Sequence, residues 1–135
     1  AHVGLFLNQG QACCAGSRVY VQEGIYDKFV AAAVKKAAAV KLGSYTEENI
    51  EQGPQVDVLQ FKSVLGYIEK GKEEGATVAT GGGRHGAKGY FVQPTVFTGT
   101  YFHLLSGWSF LSCAMLYYSV YADLTHMLPI SSFQT

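Results

Sequence analysis

Cysteine and charge are both scarce in this chain, and each scarcity excludes something. Cysteine occurs three times, at Cys13, Cys14 and Cys113. An odd count with two members adjacent does not make a disulfide framework and fits a reducing, intracellular compartment. Charged residues make up 15% of the sequence, against about 25% in an ordinary soluble domain. Ten Lys+Arg cancel ten Asp+Glu, so there is no basic field to draw nucleic acid and no acidic tail. Ala1–Gly4 has neither an initiator Met nor a basic region ahead of an apolar run. No signal peptide is visible there, and the start reads as cut from something longer. What the chain does have is a 48% hydrophobic fraction over 135 residues. That is enough for a core, excludes wholesale disorder, and corresponds to one domain or a fragment of a larger one.

The few charges are unevenly placed. All ten basic residues and nine of the ten acidic ones lie between Arg18 and Lys88, and Asp123 is the sole charge after that. Two regions so different cannot play one structural role, which divides the chain near Phe97. The stretch from Gly99 to Ala122 has no acid or base and is long enough on paper for a bilayer-spanning helix. His103, Gly107 and several serines dilute it, however, and no basic cluster flanks it, so a membrane anchor is not expected.

Up to Phe97 the pattern alternates between strand and helix. Ser17–Gln22 alternates like a short strand. Tyr26, Phe29, Val30, Ala33, Val34, Ala37 and Val40 recur at steps of three and four, the apolar stripe of a helix, with Gly43 placed to stop it. Ser44–Pro54 is a polar connection. Asp57 is positioned to cap a second helix with a buried face of Val58, Phe61, Leu65 and Ile68, ended by Gly71 or Gly75. Ala76–Thr80 is a second strand, and Tyr90–Gln93 with Thr95–Phe97 a third. The order β-α-α-β-β is that of a piece of a layered α/β domain. With the strands that should flank these ones missing, open sheet edges are expected.

Two motifs invite a chemical reading. Gly81-Gly82-Gly83-Arg84-His85-Gly86 satisfies G-x-G-x-x-G by count. A dinucleotide fingerprint must also open a helix and be followed by an acidic residue about 20 positions on. The next pattern is a strand, and no Asp or Glu occurs between Glu74 and Asp123, so the loop is a turn between strands. The second motif is Asn8-Gln9-Gly10-Gln11-Ala12-Cys13-Cys14-Ala15-Gly16-Ser17-Arg18. An adjacent cysteine pair is usually two buried small hydrophobes. It lacks the spacing of a metal site, and the four scattered histidines (His2, His85, His103, His126) suggest none. Small and amide residues before the pair place the thiols on irregular backbone, where exposed N–H groups could support a reactive thiolate. Both readings stay open on residue pattern alone.

Phe6-Leu7-Asn8-Gln9-Gly10-Gln11-Ala12-Cys13 resembles the catalytic-cysteine motif of the aldehyde dehydrogenase superfamily, with Gly-Gln-x-Cys its most diagnostic part. Gln22–Phe29, Gln52–Asp57, Gly71–Ala76 and Gly89–Phe97 resemble the same family in order and spacing, so the likeness covers residues 1–97. It is closest in kind to the NAD-dependent, non-acylating members. The resemblance implies an α/β fold, a fragment of the layered catalytic domain with a largely parallel sheet and flanking helices. It implies Cys13 as the nucleophile, adding to an aldehyde to form a thiohemiacetal that passes hydride to NAD or NADP. Water then releases a carboxylic acid from the thioester. A backbone N–H at the cysteine and an Asn side chain would stabilise the oxyanion. Leu7, Ala12 and Cys14 would line the substrate pocket, and Gln60 would lie near the cofactor's adenosine side, with ordinary packing as the alternative for all four. The parent would be a homo-oligomer acting on a small-molecule aldehyde.

The departures from the family are as informative. The cofactor domain, the Asn donor and the catalytic Glu all precede this motif in the family, and the downstream Glu-x-Phe-Gly-Pro motif never appears. Residues 98–135 are therefore expected to be a divergent apolar tail, non-native or disordered, and the isolated chain is expected to be inactive. A non-catalytic truncated isoform that binds full-length subunits is the alternative function. A membrane-anchored thiol protein is a third.

Overall fold

The computed structural model describes residues 1–99 and 117–122. In order, the elements are α1 (His2–Phe6), β1 (Arg18–Val21), α2 (Tyr26–Ala38), α3 (Val58–Glu73), β2 (Thr77–Thr80), β3 (Thr95–Thr98) and β4 (Tyr117–Ala122). Short 3₁₀ turns precede β1, at Leu7–Gly10, and α2, at Glu23–Ile25. The four strands form one mixed sheet in the order β1-β4-β3-β2. β4 runs parallel to both neighbours, with Val19 opposite Val120 and Val96 opposite Tyr118. β2 and β3 pair antiparallel, with an irregularity between Val78 and Thr80.

β4 occupies the slot between β1 and β3, while the outer edges of β1 and β2 have no neighbouring strand among the described residues. Of the tail, only Thr98, Gly99 and Tyr117–Ala122 are described. The expectations that residues 98–135 are non-native and that no anchor lies there fall, for the rest, outside the described residues. Among the described residues no helix is long and apolar enough to cross a membrane.

Helix α2 forms where the stripe places it. Ala33 and Ala37 are buried, while Tyr26, Phe29, Val30 and Val34 pack against the core from its margin. The helix ends earlier than Gly43, at Ala38, with Ala39 still in right-handed helical geometry. Gly43 instead donates its N–H to Gln52 O at 3.2 Å, and a side chain there would run into Ile50. Its lack of a Cβ serves loop packing rather than helix termination.

Helix α3 begins at Asp57, whose Oδ1 accepts the Gln60 N–H at 2.7 Å. Its buried face is Phe61, Val64, Ile68 and Gly71, not the expected Val58–Phe61–Leu65–Ile68. Val58 lies on the first turn and is 40% exposed; Leu65 is only partly buried. Gly71 does not end the helix. A Cβ there would stand 3.1 Å from the Phe97 ring, so the bare backbone lets helix and sheet approach. Gly75 is the terminator: its φ is +90°, and its N–H returns to Lys72 O while Ala76 N–H returns to Gly71 O. That left-handed glycine satisfies the last helical carbonyls.

The segment Tyr90–Gln93 is not a strand. It contributes one isolated bridge, Arg84 to Val92, and β3 is confined to Thr95–Thr98. The glycine-rich loop is folded by internal bonds: His85 N–H to Phe91 O, Gln93 N–H to Gly83 O, and Arg84 to the carbonyls of Ala87 and Gly89. A Cβ at Gly81 (φ +73°) would collide with the Pro94 carbonyl. Thr95, Val96 and Phe97 are all fully buried, as expected of an interior strand covered on both faces.

Candidate active site

Three local devices bring the chain to Cys13. The first is α1, whose Leu5 and Phe6 are 0% and 4% exposed and anchor it in the core. Five residues carry too little periodicity to read as a helix, so the sequence pattern missed it. The second is the turn Leu7–Gly10, where Asn8 (φ 51°, ψ 42°), Gln9 (φ 56°, ψ 32°) and Gly10 (φ 72°) are consecutively left-handed. Glycine tolerates this and asparagine accepts it, but a left-handed glutamine costs about 1–2 kcal/mol. The third is a β-turn at the thiols, closed by Ala15 N–H to Ala12 O at 3.1 Å, with Cys13 and Cys14 at its two central positions. Gly16 N–H then bonds Gly4 O at 2.9 Å, tying the end of the segment back to α1.

Both thiols are free and exposed, so the pair is not two buried small hydrophobes. Among the described residues the amide N–H groups of Cys13 and Cys14 make no hydrogen bond. Two uncommitted donors beside a thiol can receive an oxyanion.

The strained turn is held from outside by the loop that follows α2. Gln52 Nε2 donates to Phe6 O at 2.8 Å, and Gln55 Nε2 to Gln9 O at 3.3 Å. With its side-chain amide turned so that Oε1 rather than Nε2 faces Gly53, Gln9 accepts the Gly53 N–H at 2.9 Å, and Gln11 Oε1 accepts the Val56 N–H at 3.0 Å. Asn8 adds a local brace, its Nδ2 donating to Gln11 O at 3.0 Å. The loop Gln52–Val56 therefore grips the cysteine segment at four points. Motif reading recognised Gln52–Asp57 as family-like but assigned no role to these glutamines, because nothing in their spacing shows which carbonyls they reach.

The sequence-derived candidates fall into two groups. Leu7, Ala12, Cys13 and Cys14 lie on one continuous segment; Leu7 is 64% exposed and Ala12 is half-buried. Gln60 sits on another element, the first turn of α3, with its backbone N–H donated to Asp57 Oδ1. The Gln11–Val56 contact just ahead of that helix links the two groups indirectly. Among the described residues no group of three His, Cys, Asp or Glu is arranged for a metal ion.

Among the described residues, the glycine-rich loop is not arranged as a dinucleotide fingerprint. The glycines of residues 81–86 lead to β3 rather than to a helix, and the loop's polar groups bond inward. The Lys72 ammonium is taken by Gly82 O and Glu69.

Comparison with known proteins supplies the wider frame. The profile described as the aldehyde dehydrogenase family matches residues 1–103, six residues beyond the point where the motifs stop. An aldehyde dehydrogenase of Emericella nidulans is 60% identical over 98 residues, covering 73% of this chain and 20% of that protein. A human relative, "Aldehyde dehydrogenase, mitochondrial", is 57% identical over 97 residues, covering 72% and 19%. This chain thus spans about a fifth of the length of the curated relatives it matches. Among solved structures, the NAD+ complex of an aldehyde dehydrogenase from Bacillus cereus superposes with a TM-score of 0.82 at 44% identity, over 90% of this chain and 24% of that one. A betaine aldehyde dehydrogenase from Staphylococcus aureus in complex with NAD+ superposes at 0.80 with 30% identity, over 90% and 25%. The structural match extends over more of the chain than the sequence match does.

Proposed function

Because the chain belongs to the aldehyde dehydrogenase family, we propose that it is the nucleophile-bearing segment of an NAD(P)-dependent enzyme that oxidises an aldehyde to a carboxylic acid, with Cys13 as the nucleophile. The observation that carries this is the presentation of Cys13: an exposed thiol at the corner of a β-turn, with uncommitted amide donors beside it. With its S–H proton given up to a base of the parent outside this chain, the Cys13 sulfur bonds to the carbonyl carbon and the π pair moves to oxygen, within reach of those N–H groups. Sulfur suits both halves of the reaction, because its adduct expels hydride and its acyl ester hydrolyses readily. NAD(P)+ is the hydride acceptor when bound, and its cradle belongs to parts of the parent outside this chain. So does the base for thioester hydrolysis. Leu7, Ala12 and Cys14 border the aldehyde, and Gln60 faces the cofactor's adenosine side. The parent's subunits associate as a homo-oligomer.

The test is a graft. Residues 1–97 replace the matching segment of a full-length relative, and NADH formation from an aldehyde is followed. Cys13→Ser lowers kcat by at least about 10³-fold, while Cys14→Ser alters mainly KM. Turnover that survives Cys13→Ser, or dies with Cys14→Ser instead, sinks the assignment.

One observation favours a second reading, a non-catalytic isoform that docks on full-length subunits. Leu7, Val56 and Leu59 are 64%, 76% and 73% exposed, and Val56 is bonded directly to the cysteine segment. Apolar side chains beside a site suit a covered surface. Failure to co-purify with a co-expressed full-length subunit removes this reading.

A further inference from the structure

Gln52 and Gln55 are more deeply buried than their chemistry favours. Each is 2% exposed, although glutamine mostly stays in water. Each directs its amide N–H₂ to a main-chain carbonyl of the segment leading to Cys13, at Phe6 and Gln9 respectively. Each also leaves its Oε1 buried without a partner among the described residues. An orphaned buried acceptor is a cost, and these amides accept it while satisfying the Phe6 and Gln9 carbonyls, which removal of either glutamine alone would strand. What sets the pair apart is the place of those targets. The two carbonyls bracket Asn8 and Gln9, the two non-glycine residues of the left-handed turn.

We propose that Gln52 and Gln55 are positioning residues: they clasp the Phe6 and Gln9 carbonyls, hold the intervening turn left-handed, and so fix where the Cys13 thiol is presented. Neither touches the thiol. The clasp acts through backbone, because the direction in which residues 11–14 leave the turn depends on the φ/ψ values of Asn8 and Gln9. Its importance for turnover rests on the reading of Cys13 as the nucleophile, but its existence does not.

The experiment uses the full 135-residue chain and needs no turnover. Labelling rates of Cys13 and Cys14 by a small disulfide reagent are measured by peptide mass mapping across a pH series. Cys14, the next residue of the same turn, is the internal reference. In Gln55→Met the Cys13:Cys14 rate ratio changes by about fivefold or more and the pH profile at Cys13 moves, while the far-UV helix signal is kept. Adding Asn8→Gly to Gln55→Met returns the ratio toward wild type, because glycine enters the left-handed region without enforcement. A merely structural role moves both thiols together and is not rescued by that glycine. Should Gln55→Met lose its helix signal, Gln55→Asn is read instead, since it keeps an amide too short to reach Gln9 O. A ratio within about twofold of wild type in a folded variant overturns the proposal. Unfolding of both variants overturns it as well, in favour of a structural role. An inactive graft would bear on the nucleophile assignment alone, and an unchanged labelling ratio on the clasp alone.

Discussion

At the scale of single residues, His2 shows how burial and charge together set a proton equilibrium. Its ring lies 5.1 Å from that of Phe6, one turn along α1, and its Nδ1 is buried with no partner among the described residues. Burial, then the Lys36 ammonium and the chain's own N-terminus, hold the imidazole below its ordinary value, with Glu51 opposing. A lowered folded-state value means that the unfolded chain binds the proton more readily. The stabilising contribution is therefore full above about pH 6.5, the unfolded value, and is lost as pH falls through the folded one. His2→Phe keeps the ring contact and removes the titration. Urea midpoints taken from pH 7.5 down to about 5 should fall less steeply for that variant; parallel curves would show that His2 contributes nothing. The resemblance that singles out Cys13 was legible in the sequence because its neighbours form a local motif. Gln52 and Gln55 were not, since their partners lie 46 residues away along the chain.

At the scale of elements, the start of α3 was read more accurately than its buried face. Asp57 caps α3 through Gln60 N–H as its side chain and position indicate, and Asp57→Ala should cost about 1 kcal/mol. Chemical denaturation measures this, and a loss below about 0.3 kcal/mol would mean that solvent satisfies the helix end equally well. The buried face of α3 was misread by a fraction of a turn. Val64 and Leu65 are adjacent and equally apolar, but Val64 shares the buried stripe with Gly71, where the Phe97 ring approaches the helix. Glycine was ambiguous in the same way. Gly43, Gly71 and Gly75 all looked like stops, yet only Gly75 adopts the left-handed geometry of one. The other two are bare for lack of room.

At the scale of the whole molecule, the sheet is completed by a segment that shows no family motif. β4 pairs with β1 and β3 through backbone groups, which any non-proline residue can supply. Sheet pairing is thus compatible with a wide range of side chains. Completing one sheet does not complete an active site. The chain spans about a fifth of its relatives, and among the described residues the glycine-rich loop and the start of α3 offer no cradle for a dinucleotide. The purified chain should therefore form no NADH from aldehydes at any NAD+ concentration, while its thiols still react with alkylating agents. NAD+-dependent oxidation above the no-protein control would overturn that expectation.

The sequence by itself determined the family, the α/β alternation, the helix cap at Asp57 and the segment that bears the thiol. Each depends on residues close together along the chain, where spacing is set by covalent geometry. Tertiary structure alone decided the exposure of both cysteines, the left-handed run at Asn8–Gly10, the mixed sheet with β4 at its centre and the burial of Gln52 and Gln55. These depend on which distant groups meet. A carbonyl at Gln9 is an ordinary acceptor until Gln55 is folded against it, and only then is the strained turn ahead of Cys13 held in place.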